Sequence, residues 1–232
     1  MSAVLLRRAD QRPRTRIDWL DSRHTFSFGQ HHDPAWMGFG ALRVINDDRV
    51  AAGAGFPPHR HANMEIISIV LEGALAHRDS TGTQGVIRAG DVQWMSAGHG
   101  IEHSEFNASP DAPVHFLQVW IQPDQVNAAP AYAQEAFDPA LREGRWQDLV
   151  GGDGIAIRQD ARIRAIRLQE GASQPLEVAA GRGLWLQVLD GAVRIAGHEL
   201  AAGDGIGLVG PLADASLQAV GACEVLGFDV PM

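Results

Sequence analysis

The sequence predicts an all-β protein made of two β-barrel or β-sandwich lobes packed together, with a short helical connector between them. Three observations lead there. Gly (26) and Pro (12) punctuate many short apolar runs across the 232 residues, and helical periodicity is rare. Phe39 to Asn46, Glu65 to Leu71, Val92 to Met95 and Val114 to Ile121 each have the length and apolar content of a strand. An internal repeat then doubles the pattern: Val70-Leu71-Glu72-Gly73-Ala74 returns as Val188-Leu189-Asp190-Gly191-Ala192, and Ala89-Gly90-Asp91 as Ala202-Gly203-Asp204.

Taken in order, the elements support that reading. The apolar part of Met1 to Arg8 is far too short for a secretory core, and no small-residue cleavage site follows. No stretch approaches the ~20 apolar residues of a membrane span. In each repeat an acidic-Gly turn follows an apolar strand, as a tight hairpin requires. Most positions of Val114 to Ile121 are apolar on both faces, so both faces are expected to be covered. From Asp124 to about Gly154 the chain is rich in Ala, Pro and Gln. Its weak strand propensity predicts a connector with a short helix near Pro139 to Glu143. Strand patterns resume at Ile155. The expected division is a first lobe over residues 1–123, a connector over 124–154 and a second lobe over 155–232.

Composition excludes several function classes. The 19 basic and 28 acidic residues give a net charge of −9, with no dense Lys/Arg run, which disfavours nucleic acid as a partner. No membrane partner is expected. Cys223 is the sole cysteine, so no intrachain disulfide can form, which fits a cytoplasmic location.

The chemistry concentrates in two short segments, His59-Arg60-His61 and His103-Ser104-Glu105. Side chains at i and i+2 share one face of a strand. Two strands can therefore aim three imidazoles and one carboxylate at a single point, a donor set suited to a divalent transition metal ion. The repeat places Glu177 and Ala179 opposite His59 and His61, and Ser216 and Gln218 opposite His103 and Glu105. The second lobe thus keeps the scaffold without the ligands. His99 reads as a solvent-facing or rim residue, His77 and His115 as packing or hydrogen-bonding residues, and His31-His32, before Asp33-Pro34, as loop. Gly205 to Gly210 formally matches a dinucleotide fingerprint, but Pro211 follows at once and no helix opens, so turn and strand glycines are the better reading. Cys223 reads as a small buried hydrophobe. Phe28 and Phe39 are candidates for the mouth of a cup above the metal.

The pattern Gly53-x5-His59-x-His61-x3-Glu65-x7-Gly73, then Gly90-Asp91-x4-Ser96-x-Gly98-x4-His103, resembles the two cupin motifs. Ser96 stands where Pro is usual and the gap before His103 is longer, as in pirins. His77-Arg78-Asp79-Ser80, Gly90 to Gly98 and Gly100-Ile101-x-His103-Ser104-Glu105 resemble pirin signatures, as does Trp19 to Phe28. Trp36 to Phe39, Leu42 to Asp48 and Asn107 resemble the bacterial pirin-like proteins described as quercetin 2,3-dioxygenases. The resemblance implies a bicupin whose first cup holds one metal through His59, His61, His103 and Glu105. Glu65, the acid used by many other cupins, is the alternative ligand or a neighbour of the metal.

The same resemblance implies Fe(II) as the ion, with Mn, Co, Ni, Cu or Zn also compatible with the donors. It implies a metal-dependent dioxygenase, with a small enolic or phenolic aromatic and O2 as partners. A flavonol such as quercetin would coordinate through its 3-hydroxyl and lose carbon monoxide on ring opening, with Glu105 as the catalytic proton acceptor. The alternatives are a non-catalytic, metal-dependent regulator that binds partner proteins, as eukaryotic pirins do, and a cupin isomerase or zinc-filled structural domain.

Overall fold

The computed structural model describes residues 4–232; Met1 to Ala3, at the start of the expected first lobe, lie outside the described residues. The strands are β1 (Val4–Arg7), β2 (Arg14–Ile17), β3 (Leu20–His24), β4 (Leu42–Val50), β5 (Gly55–His61), β6 (Glu65–Glu72), β7 (Ala74–Asp79), β8 (Gln84–Arg88), β9 (Asp91–Ser96), β10 (Ile101–Asn107) and β11 (Val114–Ile121). They continue with β12 (Ala131–Ala136), β13 (Gln147–Val150), β14 (Arg162–Leu168), β15 (Ser173–Val178), β16 (Arg182–Asp190), β17 (Ala192–Ile195), β18 (His198–Ala201), β19 (Gly205–Val209), β20 (Leu212–Ala219) and β21 (Cys223–Pro231). The described helical turns are short 3₁₀ segments, including Pro139–Arg142, so the short helix expected near Pro139 to Glu143 is a single 3₁₀ turn. No helix among the described residues is long and apolar enough to cross a membrane.

Each lobe packs a large sheet on a four-stranded one. The first lobe has the order β12-β9-β6-β11-β4-β3-β2 over β5-β10-β7-β8. The second has β1-β19-β16-β21-β14-β13 over β15-β20-β17-β18. The repeat in the sequence is thus a repeat of topology: β5, β10, β7 and β8 correspond in order to β15, β20, β17 and β18.

The two large sheets pack back to back. Ile45, Ile67, Leu117 and Val119 of one meet Ile163, Ala165, Leu226 and Phe228 of the other in one buried cluster. This is why Val114 to Ile121 is apolar on both faces: Leu117 and Val119 face the second lobe while Phe116 faces the interior of the first. Trp185 is fully buried at the centre, 5.0 Å from the Phe26 ring and 5.6 Å from that of Phe39. Gly205 and Gly207 make room for these rings. A Cβ on Gly205 would lie 2.5 Å from Trp185, and one on Gly207 2.7 Å from Phe39. Phe39 therefore belongs to the contact between the lobes and not to the mouth of a cup.

Three strands depart from the boundaries expected from the sequence. β1, assigned to the first lobe, pairs with β19 of the second. β12, assigned to the connector, extends the first lobe by pairing with β9, and β13 pairs with β14. β12 is a half-exposed edge strand of Ala, Tyr, Gln and Glu, held by backbone pairing, so its side chains carry little strand signal. β13 is also an edge strand, but it buries Leu149 and Val150 between the lobes.

Candidate metal centre

The first cup's interior is not uniformly apolar. One cluster (Val70, Leu75, Phe116) fills one end and another (Ile66, Met95, Ile101) fills the other. Between them lies the candidate site. β5 and β10 are antiparallel, with His59 directly opposite His103 and His61 opposite Ile101. The register then shifts, so that Glu105 faces Phe56 and the ladder bulges at Pro57-Pro58. Prolines have no N–H to give a ladder, which makes them natural bulge residues. The bulge puts the Pro57 carbonyl 2.8 Å from His59 Nδ1. Nδ1–H donates there, which leaves Nε2 with its lone pair free for the site.

Donor atoms of His59, His61 and His103 all lie within 4.8 Å of one another. Their ring centroids are 4.4 to 5.0 Å apart. His103 is buried, and neither ring nitrogen has a hydrogen-bond partner. Two unpaired polar atoms in a buried ring are costly unless a ligand satisfies them, so these residues fit a metal ion. Burial, with the charge of His59 second, lowers His61 to about 4. Burial, with His59 and His61 next, lowers His103 to about 2. Both are therefore neutral imidazoles near neutral pH, the form that binds metals.

Glu105 is also buried and belongs to a second group on the same spacing, with His77 and His103. Its Oε1 accepts from Ser68 Oγ (3.0 Å) and Gln93 Nε2 (3.4 Å), and its Oε2 from Gln118 Nε2 (2.7 Å). These partners form part of one cross-strand row, His24, Asn46, Gln118, Ser68 and Gln93, running over β3, β4, β11, β6 and β9. Burial raises the Glu105 carboxyl above its usual value. His77 Nε2 lies 3.1 Å from Asp79 Oδ2, and its ring stacks on Tyr132 at 5.1 Å.

Glu65 is placed away from this cluster. Its carboxylate accepts from Trp94 Nε1 (2.7 Å), Ser96 Oγ (2.6 Å) and the Arg158 backbone N–H (3.1 Å). The chain turns between His61 and Glu65, with Asn63 at φ 51, and β6 begins in the other sheet. Strand parity across that break does not hold, and Glu65 instead ties β6 to the segment leading into the second lobe. His99 is exposed, as expected, and His115 bonds Asp47 at 2.8 Å. Phe28 lines the cavity above the histidines, edge-on to Trp120 at 5.4 Å; Trp120 in turn meets His61 at 4.9 Å. Ser68, Gln93 and Gln118 escaped the sequence reading, though the polar positions breaking apolar runs in β6, β9 and β11 were their signal.

Among the described residues, the second cup has no such set. β15–β20 register puts Leu176 opposite Ala215, and β17–β20 register puts Ile195 opposite Leu217. Leu176, Val178, Ala215 and Leu217 therefore occupy the places of His59, His61, His103 and Glu105, one residue from the positions the sequence repeat indicated. Leu176, Val178, Ile195 and Leu217 join one buried apolar cluster. The second cup is filled with hydrocarbon where the first is polar.

A two-lobed cupin with a three-histidine cluster confined to its front cup defines the class. Residues 6–121 match the Pirin family model, and residues 150–230 match that of the quercetinase C-terminal cupin domain. The chain belongs to the pirin family. It is 41% identical over 229 residues to a quercetin 2,3-dioxygenase of Escherichia coli (strain K12), covering 98% of this chain and 99% of that protein. A pirin-like protein of Caulobacter vibrioides is 40% identical over 195 residues, 82% of this chain and 84% of that one. The crystal structure of the Escherichia coli bacterial pirin YhhW in complex with nickel(II) superposes with a TM-score of 0.91 at 38% identity, over 99% of both chains.

Proposed function

We propose that this protein is a metal-dependent dioxygenase acting on flavonols such as quercetin, with one divalent transition ion held by His59, His61, His103 and Glu105. The observation that carries the reading is the buried His103, with both nitrogens unpaired, inside a cluster of three imidazoles below an aromatic-lined cavity. The relatives named above as quercetin 2,3-dioxygenases support the reaction class. Fe(II) is the first choice of ion. When bound, the metal would supply Lewis acidity toward a substrate hydroxyl and positions for the substrate and O2.

The chain's own residues do the rest. The Pro57 carbonyl fixes the His59 tautomer. Ser68, Gln93 and Gln118 hold the Glu105 carboxylate in one orientation next to His103. Its raised proton affinity suits it to accept the proton of the substrate hydroxyl. Phe28 and Trp120 offer aromatic surface to a planar ligand and keep the cavity poor in water.

The test is aerobic incubation of iron- or copper-loaded protein with quercetin, following loss of its long-wavelength absorbance. His61→Ala should abolish turnover. Glu105→Gln should retain part of the metal and lose about 10²-fold or more of the rate. No turnover with any divalent ion would overturn the enzymatic reading and leave a metal-dependent binding role.

A further inference from the structure

Two segments of the pirin resemblance, Trp19 to Phe28 and Leu42 to Asp48, contribute none of the proposed ligands. Both nevertheless line the metal cavity, through His24 and Phe28 in one and Asn46 and Asp48 in the other. His24 and Asn46 satisfy each other, with Nδ1 2.8 Å from the Asn46 Oδ1, and the Thr15 hydroxyl lies 2.9 Å from His24 Nε2. Asp48 is different. It is 3% exposed, and its Oδ1 has no hydrogen-bond partner. Its cross-strand neighbours are Ser22 and Phe116, and among the described residues no Arg or Lys lines the cavity.

A buried carboxyl without a cation is expensive, and an unpaired oxygen in it calls for a functional reason. We infer that Asp48 is a specificity-determining residue: it hydrogen-bonds a second oxygen of a planar phenolic ligand whose first oxygen faces the histidine cluster. The pocket therefore prefers polyhydroxylated aromatics to those with a single hydroxyl. The inference rests on the phenolic substrate class proposed above. Burial first, then the negative charges of Asp47 on its own strand and Glu105 on β10, raise Asp48 to about 7, with Ser22 opposing. His24 on β3 and the histidine cluster on β5 and β10 are the other titratable groups around the cavity. Near neutral pH the carboxyl thus exists in both forms: the ionised form accepts from a phenolic hydroxyl, and the protonated form can also donate to a carbonyl.

The experiment uses zinc-loaded protein, in which no turnover obscures binding. Quercetin and 3-hydroxyflavone, which shares the 3-hydroxyl and lacks the others, are titrated by their absorbance shifts. Azide reports on ligands that need the metal alone. Wild type should favour quercetin about tenfold or more, a ratio that should fall to about twofold or less in Asp48→Ala. At pH 5, where the Asp48 carboxyl is protonated and removing it changes no charge, azide affinity and zinc content should not change. Asp48→Asn, the same size and shape, guards against a folding defect and should show a shifted ratio with no pH dependence between pH 5 and 8. An unchanged ratio in both variants overturns the assignment, as does a wild type that does not discriminate or binds neither phenol. Failure of the iron- or copper-loaded enzyme to consume quercetin would remove the dioxygenase reading and leave this binding ratio readable.

Discussion

Asp48 leaves a mark on stability as well as on recognition. Its carboxyl titrates near 3.8 when unfolded and at about 7 in the fold. Between those values the folded state binds the extra proton, so the stabilisation is complete below about pH 4 and is lost as pH rises through 7. His61 and His103 act in the opposite sense: their depressed values favour the fold more as pH rises to about 6.5. Comparing wild type with Asp48→Asn in the same metal state cancels the histidine contribution. Denaturant titrations from pH 5 to 8 should show the variant gaining on wild type as pH rises; a constant difference would contradict the buried carboxyl. At this scale the proposed ligands were legible because period-two spacing is local. Asp48, Ser68, Gln93 and Gln118 were not, because they meet only once several strands are in register.

At the scale of elements, the β5–β10 pair decides the geometry of the candidate site. Gly55 lies against Glu105 and Phe106: a Cβ there would collide with the Glu105 carbonyl oxygen and the Phe106 Cα. Gly55→Ala should therefore push β5 off β10. The expected cost is about 1–3 kcal/mol, read by denaturation, together with weaker metal retention read by elemental analysis. Asn107 closes the far end of β10. Its amide donates to the carbonyls of Val50 (3.1 Å), Ala51 (3.1 Å) and Ala112 (2.8 Å). Asn107→Ala should cost about 1–3 kcal/mol by leaving buried carbonyls unpaired. Strands such as Val114–Ile121 could be read from composition because packing on both faces selects their residues. Ala131–Ala136 could not, since an edge strand is specified mainly by the neighbour whose backbone it meets.

At the scale of the molecule, the lobes share one apolar layer and are expected to unfold together. Trp185→Ala, at the centre of that layer, should cost about 3–5 kcal/mol and lower a single calorimetric transition. Two separate transitions would show that the lobes are independent. The two-lobe architecture was visible in the repeat. The exchange of β1 was not, because nothing in Val-Leu-Leu-Arg names the sheet it joins. Removing residues 1–8 should speed hydrogen exchange at the Gly205–Val209 amides and leave those of His59–His61 unaffected. Uniform acceleration would contradict a role confined to that edge.

Val4–Arg7 pairs with Gly205–Leu208, about two hundred residues away. During synthesis the front half can close once β12 has left the ribosome, whereas this early segment must wait for nearly the whole chain. At about 5–20 residues per second, the delay is roughly ten to forty seconds. A strand made among the first is thus seated among the last, and the rear half cannot complete its sheet until the two distant ends of the chain meet.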